Sequence, residues 1–295
     1  MEQAAGTRSP NIGASEKAQA ADHAPLRGLV IHEMIREEGE HELKRKGSAL
    51  FWSALAAGLS MGLSFLAVVW MRAHMPEAPW RHLVASLGYT AGFVAVILGR
   101  QQLFTENTLT AVLPALTHRT GSAFAALLRL WGFVLLGNIV GTWLFAALLT
   151  VPGLFDAHVQ GVMAATAKET MVHPFWPTFW KAVLAGWIIA LMVWLLPSSR
   201  SARFWVIIFM TWLIALGKLS HIIAGSGEAA YAVLIGERTI FDYLTLFFIP
   251  TLLGNVLGGI ALVALLNHAP FSDELKNPSP EPSEHGPMAE HNPPA

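Results

Sequence analysis

Apolar residues fill six long runs of the chain, at residues 49–71, 83–116, 123–151, 175–196, 204–235 and 243–266. Each run is long enough to cross a bilayer, and the second and fifth exceed the roughly 20 residues that a helix needs by roughly ten. Extra backbone at membrane depth has to find its hydrogen bonds inside the protein or in a cavity. The pattern therefore predicts six spans, of which the second and fifth are broken.

Polar segments flank these runs. Residues 1–25 lack periodicity and residues 269–295 are rich in Pro, Glu, Asn and Ser, which predicts two disordered tails. Within residues 26–47, Leu29, Val30, Met34 and Ile35 stand among Glu and Lys at helical spacing. This segment is predicted to be a cytoplasmic amphipathic helix, either on the membrane surface or simply solvated. Residues 48–268 then form the six-helix transmembrane domain.

Three short matches reveal an internal repeat. FWSALAAG at residues 51–58 is similar to FWKAVLAG at residues 179–186, and LLGNIVG at residues 135–141 to LLGNVLG at residues 252–258. Between them, Gly99-Arg100 aligns with Gly217-Lys218. A unit of three helices is odd, so the second copy must insert upside down. We therefore predict an all-α membrane protein with a 3+3 inverted repeat and an aquaporin-like architecture.

The composition agrees with this fold class. Hydrophobic residues make up 54% of the chain and charged residues 13%, the mean hydropathy is +0.48, and there is no cysteine. Such a balance is typical of a polytopic membrane protein, and the lack of cysteine excludes disulfides and thiolate metal sites. No basic patch lies outside the short flanking segments, so no nucleic-acid partner is expected. Lys and Arg are modestly enriched in the loops that would face the cytoplasm together with both termini.

Ionisable residues inside the two overlong runs are the candidate functional groups, because charge at membrane depth is expensive. Arg100 and Glu106 lie in the second run, and Lys218, His221 and Glu228 in the fifth. We expect the four charged residues to pair, within a protomer or across a subunit interface, and to fasten the broken segments. The alternative is that one of them faces a pore and alters its ion selectivity. The histidine is either functional or simply hydrogen-bonded within the fold.

Three motifs carry a family resemblance. QLFTENT at residues 102–108 resembles the Leu-Phe-Thr-Gly-Asn motif of the formate/nitrite transporter family. SHIIA at residues 220–224 resembles that family's Glu-His-Ser-Ile-Ala-Asn motif, and GWII at residues 186–189 stands where the family has Asn-Trp-Leu-Val. With the helix count and the positions of the breaks, the whole membrane part is similar to this family.

The resemblance implies a homopentamer of the bacterial inner membrane, with both termini in the cytoplasm and a pore in each protomer. Such pores pass small monovalent anions, for example formate or nitrite, in several members with proton transfer. By position, His221 is the central pore histidine and Thr105 its partner on the facing loop. Leu103 and Phe104 belong to a hydrophobic constriction, and Lys168 is the basic residue near the outer mouth. No cofactor, metal or enzymatic reaction is implied.

Five positions depart from the family pattern and indicate a divergent branch. Gln102 and Ser220 replace glutamates, Glu106 replaces a glycine, and Gly225 and Gly186 replace asparagines. They leave open a pore of altered ion selectivity.

Two other classes of protein share some of these features. An aquaporin-like channel for neutral solutes requires paired Asn-Pro-Ala boxes, which are absent from the sequence. A membrane enzyme requires a metal cluster or a catalytic dyad in the spans, and the sequence offers neither.

Overall fold

The computed structural model describes residues 26–262 together with Gly13 and Ser15. Apart from those two residues, the predicted tails at residues 1–25 and 269–295 lie outside the described part. Within residues 26–262 the regular structure is entirely helical. The helices are α1 (Gly28–Lys44), α2 (Gly47–His74), α3 (Arg81–Ala85), α4 (Thr90–Leu98), α5 (Val112–His118), α6 (Gly121–Leu149), α7 (Ala157–Glu169), α8 (Phe175–Leu195), α9 (Arg203–Leu216), α10 (Ile222–Leu234), α11 (Ile240–Asp242) and α12 (Ile249–Leu262).

Five helical runs of the described chain are long and apolar enough to cross a membrane: Gly47–His74, Arg81–Leu98, Gly121–Leu149, Phe175–Leu216 and Ile240–Leu262. The fourth run is 42 residues long because it joins α8 to α9. A corner at Arg200, with φ 33° and ψ −107°, separates the two helices. After α9 the chain breaks and resumes as the 13-residue α10. The six predicted spans are thus confirmed, with the second formed by α3 to α5 and the fifth by α9 and α10.

The two breaks begin with the same backbone corner. Helix α4 is followed by Gly99 and Arg100, and helix α9 by Gly217 and Lys218. Arg100 and Lys218 adopt left-handed φ angles of 50° and 48°. At both corners, the N–H groups of the left-handed residue and of the residue after it donate to carbonyls of the last helical turn. This pattern is the Schellman motif. The four bonds are Arg100 N to Ile97 O (3.2 Å), Gln101 N to Val96 O (3.0 Å), Lys218 N to Ala215 O (3.0 Å) and Leu219 N to Ile214 O (2.9 Å).

Glycines allow the spans of each repeat to pack closely. A Cβ at Gly58 on α2 would lie 2.2 Å from Asn138 O on α6, and a Cβ at Gly186 on α8 would lie 2.3 Å from Asn255 O on α12. A side chain at either position would push the backbones apart. The predicted repeat is therefore visible as two matching helix pairs, α2 with α6 and α8 with α12. The departure at Gly186 also has a physical reason, because an asparagine has no room there.

The predicted amphipathic helix is α1, and part of its apolar face packs on the protein itself. Ile31 and Ile35 are buried, whereas Val30 and Met34 are exposed. At Gly39, α1 lies so close to the segment that precedes α5 that a Cβ would clash with the backbone of Thr110. α1 thus covers one end of the second span.

Candidate permeation site

Asn138 on α6 holds the first break in place. Its Oδ1 accepts a hydrogen bond from Phe104 N–H at 2.9 Å. Its Nδ2 donates to Ala54 O and to Gln102 O, both at 2.8 Å. One buried amide therefore satisfies two backbone groups of the break and ties them to α2.

Asn255 on α12 does the same for the second break. Its Oδ1 accepts from Ile222 N–H at 2.8 Å, and its Nδ2 donates to Ala182 O at 2.8 Å and to Ser220 O at 2.9 Å. The three residues that Asn255 binds stand at the same repeat positions as the three residues that Asn138 binds. The structural interpretation of the two asparagines, as interhelical hydrogen-bonding groups, is confirmed.

His221 joins the two breaks. Its side chain is buried, with 1% of the residue exposed, and its Nε2 lies 2.8 Å from Thr105 Oγ1. Its Nδ1 accepts from Ala224 N–H at 3.2 Å and so caps the start of α10. Because Nδ1 is an acceptor, the neutral ring carries its proton on Nε2 and donates it to Thr105. Phe93 packs edge-on against the imidazole, with 5.0 Å between ring centroids.

Leu103 occupies the repeat position that corresponds to His221. The residues before them, Gln102 and Ser220, each accept a hydrogen bond from the asparagine of their own repeat. The residues after them, Phe104 and Ile222, each donate one to it. Leu103 is fully buried. Phe104 is also buried and packs edge-on against Trp131, with ring centroids 5.7 Å apart.

Two open cavities approach this centre from opposite sides. The proximal vestibule, of about 250 Å³, lies against α1 and the first break. The distal vestibule, of about 480 Å³, lies against α7 and the second break. Leu103 lines the former and His221 the latter, so the buried link from His221 to Thr105 stands between the two cavities. The charged and histidine residues are Glu38, Glu42, Arg100, Glu106 and Arg203 in the proximal vestibule, and Arg72, His82, Glu169, His173, Lys181, Lys218, His221 and Glu228 in the distal vestibule.

Two of the four internal charges are exposed rather than buried. The side chains of Arg100 and Lys218 are 77% and 58% exposed, because the left-handed corners turn them into the vestibules. Arg100 pairs with Glu38 on α1 at 2.9 Å, and Lys218 with Glu169 on α7 at 3.3 Å. The prediction of pairing is confirmed for these two residues, but their partners come from peripheral helices.

Within the protomer, the other two internal charges do not form the predicted ion pairs. Glu106 lines the proximal vestibule and Glu228 the distal one. Glu228 accepts a hydrogen bond from Thr170 Oγ1 at 2.7 Å. Within the described residues neither carboxylate has a basic side chain within 4.0 Å. Each faces a cavity where water can solvate it, so a permanent partner is not required.

Arg72, Lys181 and Lys218 are the basic residues that line the distal vestibule, and Lys168 is not among them. Lys168 on α7 pairs with Glu237 at 2.8 Å, is half-exposed and lies outside the lining of both vestibules. Lys181 on α8 lines the distal vestibule instead, with its Nζ 2.8 Å from His173 Nε2. Sequence reasoning missed Lys181 because it sought charge only in the overlong runs. The signal was in the repeat itself, where FWK replaces FWS and Lys181 aligns with Ser53.

Two further departures from the motif are accommodated by neighbouring residues. A Cβ at Gly225 would lie 2.6 Å from the ring of Phe247, so the aromatic ring fills the space of a larger side chain. Gln102 donates from Nε2 to Glu42 at 2.8 Å and accepts from Asn107 Nδ2 at 3.0 Å. Gln102 thereby ties the first break to α1.

In the described part of the chain, no three His, Asp or Glu side chains come together as metal ligands. Two inverted three-span repeats, with broken helices meeting at a buried histidine between two cavities, define a membrane protein of the channel and transporter class. The sequence model of the family described as "Formate/nitrite transporter" matches residues 29–269, and the chain belongs to this family.

Relatives span nearly the whole described chain. The chain is 44% identical to the inner membrane protein YfdC of Escherichia coli (strain K12), over 87% of this chain and 83% of YfdC. It is 24% identical to the formate channel FocA of the same strain, over 79% of this chain and 90% of FocA. Among solved structures, a pentameric formate channel with formate bound matches with a TM-score of 0.64 at 20% identity, over 77% of this chain and 98% of that one. An FNT family ion channel matches with a TM-score of 0.71 at 19% identity, over 83% and 99%.

Proposed function

We propose that this protein is a channel or transporter for small monovalent anions of weak acids, such as formate or nitrite. Membership of the formate/nitrite transporter family supports this proposal, as do relatives that are named formate channels. The likeness in fold to a pentameric formate channel supports a homopentamer with one pore in each protomer. The lipid bilayer and the anion are the expected partners.

The observation that carries the proposal is the hydrogen bond between His221 Nε2 and Thr105 Oγ1, at 2.8 Å. An anion that reaches this link can accept the Nε2 hydrogen bond in place of Thr105. This hydrogen bond would partly offset the cost of the anion's charge at the narrowest point, and a proton that enters from a vestibule with the anion would cancel that charge. Leu103 and Phe104 complete the proposed constriction, of which Leu103 has the more direct support because it lines the proximal vestibule.

We further propose that the protein lies in the bacterial inner membrane with the proximal vestibule facing the cytoplasm. The relative YfdC is named an inner membrane protein. Two loops with basic residues are predicted to be cytoplasmic, one after the second span and one between the fourth and fifth spans. The first contains His118, which pairs with Glu40 on α1, and the second contains Arg203, which lines the proximal vestibule. This orientation would also place the N-terminal tail in the cytoplasm, and Lys168 near the outer mouth.

Proteoliposomes test the proposed function directly. Vesicles that contain the purified protein are shrunk osmotically and then followed by light scattering as they reswell in formate, nitrite, acetate, hydrosulfide or glycerol. We expect rapid reswelling in at least one weak-acid anion and a dependence on pH. Reswelling in glycerol alone would favour a neutral-solute channel, and no reswelling in any solute would refute the proposal.

A second candidate function, a pore of altered ion selectivity, is favoured by Glu106. This carboxylate lines the proximal vestibule close to Thr105 and, among the described residues, has no basic side chain within 4.0 Å. An ionised carboxylate there would repel anions and attract cations. If Glu106 sets selectivity, Glu106→Gln will raise the permeability of anions relative to cations in planar-bilayer recordings. An unchanged ratio would eliminate this candidate.

A further inference from the structure

Lys181 is a cation near the start of a membrane span. It lies on α8, within the run Phe175–Leu195, and its side chain lines the distal vestibule together with His173 and His221. A lysine at this depth is costly unless it meets water or a partner. Its observed partner is an imidazole, because Lys181 Nζ lies 2.8 Å from His173 Nε2.

The carboxylates of the distal vestibule are engaged elsewhere. Glu169 forms ion pairs with Arg72 at 2.9 Å and with Lys218 at 3.3 Å, and Glu228 accepts a hydrogen bond from Thr170. In the described part of the chain, no carboxylate lies within 4.0 Å of Lys181. After the bond to His173, the ammonium group retains two N–H donors. Lys181 therefore keeps both a net charge and free hydrogen-bonding capacity inside the vestibule.

His173 holds the ammonium group without neutralising it. Burial and the neighbouring charges of Lys181 and Lys218 lower the pKa of His173 below its ordinary value of 6.5. The imidazole is therefore neutral at pH 7, and its Nε2 accepts a hydrogen bond from Lys181 Nζ. The pair carries a single positive charge, and the histidine restricts the orientation of the long lysine side chain.

We propose that Lys181, oriented by His173, forms an anion-binding subsite that captures the substrate in the distal vestibule before it reaches His221. The inference rests on the proposed function and adds a residue that sets the apparent affinity for the anion. The chemistry suits a small monovalent carboxylate or oxoanion, which a compact ammonium group binds as a point charge. Lys168 is less suited to this task, because Glu237 already compensates its charge.

The test compares four variants in proteoliposomes at pH 7, with initial uptake of formate and of nitrite measured against concentration. Lys181→Gln should raise the half-saturating concentration about tenfold, as expected for loss of a charge-assisted hydrogen bond in a partly solvated site. Lys181→Arg keeps the charge and should stay close to the wild type. His173→Asn should give a smaller rise, because it loosens the lysine without removing it. Lys44→Gln removes a cation from the proximal side, where Lys44 is largely exposed, and should change nothing.

A second readout does not require transport. Anion binding stabilises the folded protein, so formate should raise the thermal-unfolding midpoint of the wild type in detergent, and less so that of Lys181→Gln. An unchanged half-saturating concentration and an unchanged formate shift in Lys181→Gln would overturn the inference. An equal loss in Lys44→Gln would also overturn it, since the effect would then reflect overall charge. A wild-type protein that takes up no anion would refute the proposed function, whereas the formate shift would still decide whether Lys181 binds anions.

Discussion

The two breaks share a scaffold and differ in chemistry. Both begin at a left-handed corner, at Arg100 and at Lys218, and both are held by an asparagine from the third span of their repeat. At the equivalent position that follows, one break presents Leu103 and the other His221. The two breaks thus share their backbone geometry but carry side chains of different chemistry at this position. A polar group is thus presented toward the distal vestibule and an apolar one toward the proximal vestibule.

The side chain at that position also determines how each break ends. His221 caps α10, which starts at the next residue. Leucine cannot cap a helix, and the chain after Leu103 forms only a short 3₁₀ turn before α5 begins at Val112. In place of a capping side chain, Asn107 supports this turn: its Nδ2 donates to Leu103 O at 3.1 Å and its backbone carbonyl accepts from Trp131 Nε1 at 3.1 Å.

The vestibules also differ in charge. Among the described residues that line the distal vestibule, three permanent cations face two carboxylates. In the lining of the proximal vestibule, two permanent cations face three carboxylates. An anion is therefore attracted more strongly to the distal side. The groups counted are Arg72, Lys181, Lys218, Glu169 and Glu228 on the distal side and Arg100, Arg203, Glu38, Glu42 and Glu106 on the proximal side.

The largest expected effect tests the shared scaffold. Asn138→Leu and Asn255→Leu each remove three hydrogen bonds from buried backbone groups. Each group left unpaired costs about 1–3 kcal/mol, so both variants should lose on the order of 3 kcal/mol or more of unfolding free energy. Denaturation of the purified protein in detergent measures the loss.

The aspartate variants serve as matched controls for the asparagines. A carboxyl group buried at these positions is protonated, so Asn138→Asp and Asn255→Asp keep the acceptor and one donor, and their stability should lie between the wild type and the leucine variants. If one leucine variant were as stable as the wild type while the other failed to fold, the two asparagines would not be equivalent.

A smaller effect is expected at the two corners. A non-glycine residue in the left-handed region costs about 1–2 kcal/mol, and glycine avoids this cost. Arg100→Gly should therefore be more stable than Arg100→Ala by about 1 kcal/mol, and Lys218→Gly more stable than Lys218→Ala by a similar amount. The glycine and alanine variants both lack the ion pair, so its loss cancels when their unfolding free energies are compared. Identical unfolding free energies for glycine and alanine would show that the corners are not strained.

The smallest effect on unfolding free energy is expected for the ion pairs that join the two corners to α1 and α7. Glu38 binds one cation, whereas Glu169 binds both Arg72 and Lys218. These half-exposed pairs contribute less than about 1 kcal/mol, and Glu169→Gln should cost more than Glu38→Gln at pH 7. The measurement is the unfolding free energy of each variant relative to the wild type.

The pH dependence gives this comparison a second readout. Burial alone would raise the pKa of Glu169, but the hydrogen bond and charge of Arg72, with Lys218, hold it below the ordinary value of 4.5. A depressed pKa stabilises the folded state fully above the unfolded value, and this contribution is lost as the pH falls through the folded value. The difference between the wild type and Glu169→Gln should therefore shrink in acid. A difference that grows as the pH falls would contradict the assignment.

Much of the scaffold could be predicted from the sequence because it depends on local patterns. Apolar length predicted the spans and the two breaks, and the repeat aligned Gly99-Arg100 with Gly217-Lys218 and Asn138 with Asn255. Backbone constraints of this kind recur at fixed spacing in both copies. The link from His221 to Thr105 was expected only from the motif resemblance, since 116 residues separate the two side chains.

What could not be predicted depends on contacts between distant elements. The exposure of Arg100 and Lys218 follows from the direction in which a left-handed corner turns the side chain, which hydropathy does not encode. The pairing of Lys168 with Glu237 requires α7 to lie beside the end of α10. The packing of α1 on the second span likewise depends on the assembled fold. Lys181 could have been noticed, because it is the charged mismatch within an otherwise matching repeat.

His221→Asn tests the central claim most directly. The claim is that Nε2 of the histidine donates a hydrogen bond to the passing anion while Nδ1 caps α10. Asparagine is a good N-cap, so the start of α10 should be retained, but its side chain is too short to reproduce the bond to Thr105. We predict that the variant gives normal yields of folded oligomer and that formate or nitrite flux into proteoliposomes is abolished or loses its pH dependence. Folded protein with the flux and pH profile of the wild type would contradict the account.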